Sequence, residues 1–205
     1  MRKVLSWLIC SAFIVICASV GVHTQTATPS PQVRGRVTTL YAVDPLARAV
    51  CFHDGREGLA IQNHRWTNRC SDLTFSLAGD GTFVTGIEAT RIAAMVDLGT
   101  ANDLRERYGY EDAENGGEGF ASIRFEGDTI VILKEDNPRE QLQPLKEAPA
   151  LFTDLRPSAN VPIRLGHIYL LRIADKKDKS FQRIVTLMVI EYRPNESVTL
   201  RWETL

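Results

Sequence analysis

The carboxyl-terminal part of the chain carries the four consecutive segments that decide the fold, GHIYLLRI (166–173), DKKDKS (175–180), IVTLMVI (184–190) and VTLRWE (198–203). Three apolar segments joined by polar turns predict a three-stranded antiparallel meander. The segment IVTLMVI is almost wholly apolar, which is typical of a central strand buried on both faces. In the last segment, Val198, Leu200 and Trp202 alternate with polar residues, so we expect them to share one face of the sheet.

The same meander resembles a β-rich module of uncharacterised secreted bacterial proteins. The resemblance rests on Gly166–Tyr169 with Arg172, on the apolar strand that follows, and on Val198–Trp202. It implies export and a β-rich fold. It supplies no catalytic residue that can be carried over to this chain.

Short apolar runs recur through the rest of the chain. They lie at Val33–Val43, Ala47–His53, Leu59–Gln62, Leu73–Leu77, Thr82–Glu88, Ile92–Leu98, Phe120–Phe125 and Thr129–Leu133. Turn sequences such as Asp54-Gly55 separate them. Short strands at this spacing favour a mainly β fold, an antiparallel sandwich or barrel-like domain, over parallel βαβ units.

Two segments predict short helices. Thr100–Tyr108 has a candidate cap in Thr100 or Asn102, because both side chains can accept a hydrogen bond from the first turn. Arg139–Leu142 follows Asn137-Pro138, where an asparagine cap precedes a proline at the first helical position. We therefore expect one or two short helices beside the strands.

The amino-terminal segment has the features of a secretory signal. Arg2 and Lys3 precede an uncharged run, 4–21, that ends in small residues. This pattern predicts a signal peptide over 1–21, cut after Gly21, with a cut after Ala18 as the second choice. The alternative is a retained membrane anchor, since the apolar run approaches the length that spans a bilayer.

The remaining chain divides into a spacer and one domain. Residues 22–32 are polar and contain two prolines, which predicts a flexible spacer. Residues 33–205 form the expected single β-rich domain. The export signal predicts a secreted or periplasmic location.

The charge balance narrows the class of partner. The chain has 24 Lys+Arg against 25 Asp+Glu and a formal net charge of −1. This balance creates no general attraction to nucleic acid, so we expect no nucleic-acid partner and no membrane contact beyond the signal segment. The expected partner is an unknown protein or glycan.

Two cysteines remain after the signal is removed, Cys51 and Cys70. An even pair in an oxidising compartment predicts a disulfide. Such a bridge closes a loop of about 20 residues and stabilises the fold by roughly 3 kcal/mol through chain entropy. Two buried free thiols remain the alternative.

Polar residues around these cysteines form a candidate cluster, His53, Asp54, His64 and Asp72. If the cysteines are bridged, the two histidines approach each other, and a small metal site or a general base becomes possible. The simpler interpretation is polar turn residues around a disulfide. His167, at the start of an apolar strand, is interpreted as a hydrogen-bonded sheet residue rather than a ligand.

An acidic, glycine-rich segment offers a second candidate site. Its carboxylates belong to Glu111, Asp112, Glu114 and Glu118. Oxygen ligands suit Ca²⁺, but the spacing does not match an EF-hand. We expect a solvated surface loop and no cofactor, with a weak calcium site as the alternative.

The sequence also lacks the local motifs of several enzyme classes. It contains no GxSxG, SxxK, Walker or HExxH pattern. No catalytic residue is therefore assigned from the sequence. The leading hypothesis is an exported, non-catalytic β-rich protein with a binding or envelope-associated structural role, and an enzyme is the less favoured class. The alternatives are a secreted hydrolase with a site near His53 and His64, and a calcium-stabilised domain.

Overall fold

The computed structural model describes residues 35–43, 48–52, 72–75, 81–85, 90–109, 123–134, 141–157 and 159–205. Within these ranges the strands are β1 (Arg36–Tyr41), β2 (Ala49–Val50), β3 (Leu73–Phe75), β4 (Thr82–Thr85), β5 (Arg91–Thr100), β6 (Ile123–Glu126), β7 (Thr129–Lys134), β8 (Gln141–Pro144), β9 (Ala159–Pro162), β10 (His167–Asp175), β11 (Gln182–Arg193) and β12 (Ser197–Thr204). The helices are α1 (Ala101–Tyr108) and α2 (Ala150–Thr153). The protein is mainly β, as predicted.

The strands form three antiparallel sheets. The largest has the order β1-β12-β11-β10-β5, the second β2-β3-β4-β9 and the third β6-β7-β8. Strands β10, β11 and β12 are consecutive neighbours in the largest sheet, which confirms the three-stranded meander. The described sheets are open, so the barrel-like alternative is wrong.

One face of the five-stranded sheet packs against the four-stranded sheet. This first core contains Val198, Leu200 and Trp202 of β12, which confirms that they share a face. The side chains that meet them from β3 and β4 include Leu73, Phe75 and Phe83. Burial of these apolar groups between two sheets is the interaction expected of an antiparallel sandwich.

The opposite face of the same sheet is also covered. Its second core joins Ile168 and Leu170 of β10 and Ile184 of β11 to residues of the three-stranded sheet and of both helices. Strand β11 also sends Val185 and Leu187 into the first core. The prediction that this strand is buried on both faces is confirmed. The two sheets of the sandwich are two layers of a three-layer arrangement, and the three-stranded sheet with the helices is the third.

Helix α1 begins as predicted, with Thr100 as its cap. Thr100 Oγ1 accepts a hydrogen bond from the Asp103 amide at 3.2 Å, and Asp103 Oδ2 accepts one from the Thr100 amide at 2.7 Å. This reciprocal capping box satisfies two donors at the helix start. Leu104 and Tyr108, one turn apart, bury the helix against the second core.

Of the helix predicted at Arg139–Leu142, residues 139 and 140 lie outside the described residues, and the prediction is wrong for Gln141 and Leu142. Gln141–Pro144 form strand β8, in which Leu142 lies opposite Leu133 of β7. Pairing with β7 satisfies the backbone of this segment, so tertiary context overrides the local cap signal. The second helix is α2 instead, and it begins after Pro149.

The predicted run Leu59–Gln62 and the predicted signal segment lie outside the described residues. Among the helices that the structure does describe, none has the length and apolar character needed to cross a membrane.

Candidate functional site

One end of the sandwich between the five- and four-stranded sheets carries charged side chains. On β1, Arg36 precedes Thr38 and Leu40 at two-residue spacing, and on β11, Arg183 precedes Val185 in the same way. Because side chains alternate along a strand, both arginines lie on the face that forms the first core. The apolar interior thus ends in guanidinium groups.

These arginines line a cleft of about 530 Å³, together with Phe52, Trp202 and Glu203. The rings of Phe52 and Trp202 meet edge to face, with centroids 4.8 Å apart and an interplanar angle of 68°. Both side chains are almost fully buried. They form a rigid apolar base beneath the charged rim of the cleft, which we call the Trp202 cleft.

Arg36 is held over this base. It lies directly opposite Trp202 in the β1–β12 register, and its guanidinium carbon is 5.4 Å from the centroid of the indole ring. This distance permits a cation–π interaction. The Nη1 atom of Arg36 is buried and has no hydrogen-bond partner within the described part of the chain.

Arg183 is paired with a buried carboxylate. Its Nη1 lies 3.1 Å from Asp72 Oδ2, and the same oxygen accepts a hydrogen bond from the Phe52 amide at 2.9 Å. Burial raises the pKa of Asp72, and the Phe52 amide and Arg183 partly offset that effect. Asp72 and Arg183 thus form a buried pair within the site.

A second ion pair lies beside the first. Arg91 Nε is 3.5 Å from Asp175 Oδ2. The guanidinium groups of Arg91 and Arg183 lie 3.4 Å and 4.8 Å from the centroid of the Phe181 ring. Each of these two arginines has an aspartate partner. Arg36 has no ion-pair partner among the described residues.

The predicted polar cluster is only partly within the described residues. Asp72 is described and is 3% exposed, with Arg183 as its partner. The other members, His53, Asp54 and His64, lie outside the described residues, so their approach to Asp72 stays a prediction. The acidic residues Glu111, Asp112, Glu114 and Glu118 also lie outside them.

Of the two predicted disulfide cysteines, Cys51 directly follows β2 and is 7% exposed, whereas Cys70 lies outside the described residues. The bridge stays a prediction. In the described ranges, no group of three or more histidine, cysteine, aspartate or glutamate side chains is arranged to hold a metal ion.

A second polar groove, of about 460 Å³, lies where β5, α1 and β10 meet. His167 Nδ1 is 2.8 Å from Asp97 Oδ1 and 3.1 Å from Asp97 Oδ2. Arg164 Nη1 lies 3.3 Å from the same carboxylate. His167 is thus a hydrogen-bonded residue at the first position of a strand, in agreement with its interpretation from the sequence. We call this region the His167 groove.

The backbone of β5 is irregular at this groove. The β5–β10 register shifts between Ile168, opposite Gly99, and Tyr169, opposite Asp97, which leaves Leu98 as an extra residue. Gly99 has φ +83°, and a Cβ built there would be 2.7 Å from Asp103 Oδ2. Such bulges redirect side chains, and here the bulge places Asp97 beside His167.

Arg36, Arg183 and the Asp97–His167 pair are not among the site residues that the sequence predicts. The sequence does contain a pattern that could have identified the two arginines. Each lies two residues before a buried residue of its strand, so a charged side chain falls on the face that is otherwise buried. Asp97 and His167 are 70 residues apart and meet only through the pairing of β5 with β10. No local sequence pattern predicts that contact.

Comparison with known proteins returns no matching family model, no matching curated protein and no matching solved structure. The resemblance of the meander to modules of secreted bacterial proteins therefore stays a prediction.

Proposed function

We propose that this protein is an exported β-rich binding domain that holds an anionic group of its partner in the Trp202 cleft. The observation that carries the proposal is Arg36, whose guanidinium lies over Trp202 with a buried Nη1 that lacks a hydrogen-bond partner in the described chain. Arg36 as a residue is only half-buried, and no described side chain pairs with its guanidinium, so an anion that enters the cleft would gain a charge-assisted hydrogen bond that the described protein does not supply.

The chemistry of the cleft favours a carboxylate. Guanidinium groups recognise carboxylates through paired, charge-assisted hydrogen bonds. Asp72 pairs with Arg183, so Arg36 is the guanidinium of the cleft that has no ion-pair partner in the described chain. Glu203 is the carboxylate in the lining with which an anionic ligand would have to coexist. The apolar base formed by Phe52 and Trp202 lowers the local dielectric and strengthens the attraction. The expected partner is a protein or glycan that presents a carboxylate.

Binding, rather than catalysis, is the role that the cleft supports. Its described lining consists of arginines, aromatic rings, Glu203, Gly35 and Thr204, and includes neither histidine nor cysteine. These groups supply fixed donors and an apolar surface, which are what a binding site needs. The proposed location is secreted or periplasmic, after removal of the signal at 1–21.

The proposed Cys51–Cys70 bridge is supported by a neighbouring contact. Phe52, next to Cys51, is hydrogen-bonded to Asp72, which is two residues after Cys70. A bridge would therefore cross-link two segments whose described residues, Phe52 and Asp72, are already in contact. The bridge would fix the chain beside the Trp202 cleft.

Thermal unfolding with added probes tests the proposal. A polyuronate oligosaccharide and a polyglutamate peptide are compared with a neutral oligosaccharide and an uncharged Ser-Gly peptide. A ligand that binds only the folded state raises the melting temperature with concentration. We expect at least one anionic probe to raise it and the neutral probes not to. Equal behaviour of anionic and neutral probes would overturn the proposal.

A further inference from the structure

The His167 groove contains an imidazole that is oriented by a carboxylate. His167 Nδ1 contacts both oxygens of Asp97, at 2.8 and 3.1 Å. An ionised carboxylate only accepts hydrogen bonds, so this contact assigns the proton of the neutral ring to Nδ1. The lone pair is then on Nε2, which has no hydrogen-bond partner in the described part of the chain.

Asp97 is itself fixed in place. Its Oδ1 accepts a hydrogen bond from the Gly99 amide at 2.8 Å, and its Oδ2 lies 3.3 Å from Arg164 Nη1. The bulge at Leu98 and the left-handed conformation of Gly99 are both part of this arrangement. A carboxylate held in this way keeps the proton of the neutral imidazole on Nδ1 and the lone pair on Nε2.

We propose that His167 is a general base for the hydrolysis of carboxylic esters in this groove, with Asp97 as its positioning residue. This activity is separate from ligand binding in the Trp202 cleft. It also lies at a different place from the hydrolase site that the sequence suggests near His53 and His64. An imidazole with one nitrogen on a carboxylate and the other open is the proton acceptor of many hydrolytic sites.

The reaction needs only water as co-reactant. Water gives a proton to Nε2 of His167 as its oxygen forms a bond to the ester carbonyl carbon. The resulting tetrahedral oxyanion collapses, the bond to the alcohol oxygen breaks, and the imidazolium returns the proton to the departing alkoxide. The products are a carboxylic acid and an alcohol, and the imidazole is regenerated.

Arg164 is the cation available to the oxyanion. Its side chain is 59% exposed, and one of its nitrogens contacts Asp97. The other arginine of the groove, Arg107, is occupied by Glu147 and by the carbonyl oxygen of Leu98. A positive group beside developing negative charge stabilises the transition state. Arg164 is therefore the residue that stabilises the tetrahedral oxyanion.

Other charged groups and one aromatic ring also face His167. Asp97 comes from β5, Asp103 and Arg107 from α1, and Arg164 from the segment before β10. The Tyr169 ring lies 6.3 Å from the imidazole, and burial raises the pKa of its hydroxyl to about 12, so it stays neutral.

Hydrolysis of p-nitrophenyl acetate and of an unactivated ethyl ester tests the proposal. The wild-type protein should exceed the same concentration of free imidazole by about 100-fold or more, the usual contribution of a positioned base. His167→Gln should abolish the excess, and Arg164→Gln should lower kcat. Asp97→Asn should lower the rate and move the pH profile, a change that a purely structural role would not produce.

The control is an arginine that belongs to neither candidate site. Arg193→Gln replaces an exposed arginine on β11 and should not change hydrolysis. Circular dichroism verifies that each variant is folded, and ¹⁵N NMR of the neutral imidazole in the wild type should show the proton on Nδ1 and none on Nε2. A wild-type rate equal to that of imidazole, an unchanged rate in a folded His167→Gln variant, or a neutral imidazole with its proton on Nε2 would overturn the proposal.

Discussion

Arg183 Nη1 lies 3.1 Å from Asp72 Oδ2, and this ion pair joins β11 of the five-stranded sheet to the residue that precedes β3 of the four-stranded sheet. The side chains are 14% and 3% exposed, so the pair is buried. A buried carboxylate must be paired or protonated to be tolerated. The pair therefore ties the two layers together at the charged end of the sandwich.

This burial predicts a particular dependence of stability on pH. The pKa of Asp72 is raised above 3.8, so the folded protein holds this proton more tightly than the unfolded chain does. By linkage, titration of Asp72 lowers the free energy of unfolding as the pH rises from 3.8 through the raised pKa. The Asp72→Asn protein lacks this titration. The free energy of unfolding of the wild type minus that of Asp72→Asn should therefore fall as the pH rises over this range.

Urea unfolding of both proteins from about pH 3.5 to about pH 7 measures this difference. The carboxyl groups of Asp103, Asp175 and Asp178 have lowered pKa values, and their contributions cancel in the subtraction. A difference that rises with pH would mean that the Arg183 contact outweighs burial at Asp72.

The indole of Trp202 predicts a specific mutational effect. Its Nε1 donates a hydrogen bond to Thr38 Oγ1 at 3.0 Å, in a buried contact between β12 and β1. Thr38→Val keeps the shape of the side chain but leaves the indole N–H unsatisfied, at a cost of about 1–3 kcal/mol in the free energy of unfolding. Chemical denaturation measures it.

Thr39→Val is the matched control for this change. Its hydroxyl pairs with that of Thr199 at 3.0 Å on the half-buried opposite face of the same two strands. Its loss should change stability by less than about 0.5 kcal/mol. Equal effects of the two substitutions would show that burial of the indole donor is not what makes Thr38 important.

How far the sequence determines this structure is visible in particular elements. The apolar run of β11 requires cover on both faces, and the capping residues Thr100 and Asp103 are local, so both features were predictable. The identity of the covering layers was not. The three-stranded sheet packs on the second core through tertiary contacts, and Gln141–Pro144 becomes a strand only because β7 pairs with it.

The candidate sites show the same division. Asp72 was predicted as a site residue from its place near the cysteines, but its partner Arg183 is 111 residues away. Asp97 and His167 meet across β5 and β10, and the bulge that brings them together has no sequence signature beyond a single glycine. Contacts between distant strands set these sites, and a spacing pattern does not encode them.

Gly99 predicts a second mutational effect, in the His167 groove. Its φ of +83° disfavours a side chain, and an added Cβ would come within 2.7 Å of Asp103 Oδ2. Gly99→Ala should therefore disturb the capping box of α1 as well as strain the backbone. We expect a loss of stability of about 2 kcal/mol or more, measured by urea unfolding.

Gly127→Ala is the matched control, because Gly127 has φ +58° and a Cβ there would meet nothing within 4 Å. It should cost only the backbone strain, about 1 kcal/mol. If Gly99→Ala costs no more than Gly127→Ala, the close approach of Asp103 does not matter for stability.

The proposed Cys51–Cys70 disulfide predicts sensitivity to reduction. Closing a loop of about 20 residues stabilises a fold by roughly 3 kcal/mol, so a reducing agent should lower the melting temperature. Non-reducing peptide mapping should find the two cysteine peptides linked. A Cys51→Ser/Cys70→Ser protein serves as control, since its melting temperature should not respond to reductant. Separate, alkylatable peptides from the unreduced protein would exclude the bridge.

The central claim, an anion site formed by Arg36, is tested most directly by calorimetric titration with the anionic probe that stabilises the protein. Arg36→Gln removes the charge above Trp202, and Arg193→Gln removes an exposed arginine that pairs with Glu191 and Glu196. A charged hydrogen bond contributes about 1.5–3 kcal/mol, so Arg36→Gln should raise Kd by about 10-fold or more. Arg193→Gln should leave Kd unchanged. An unchanged Kd in a folded Arg36→Gln protein would contradict the claim.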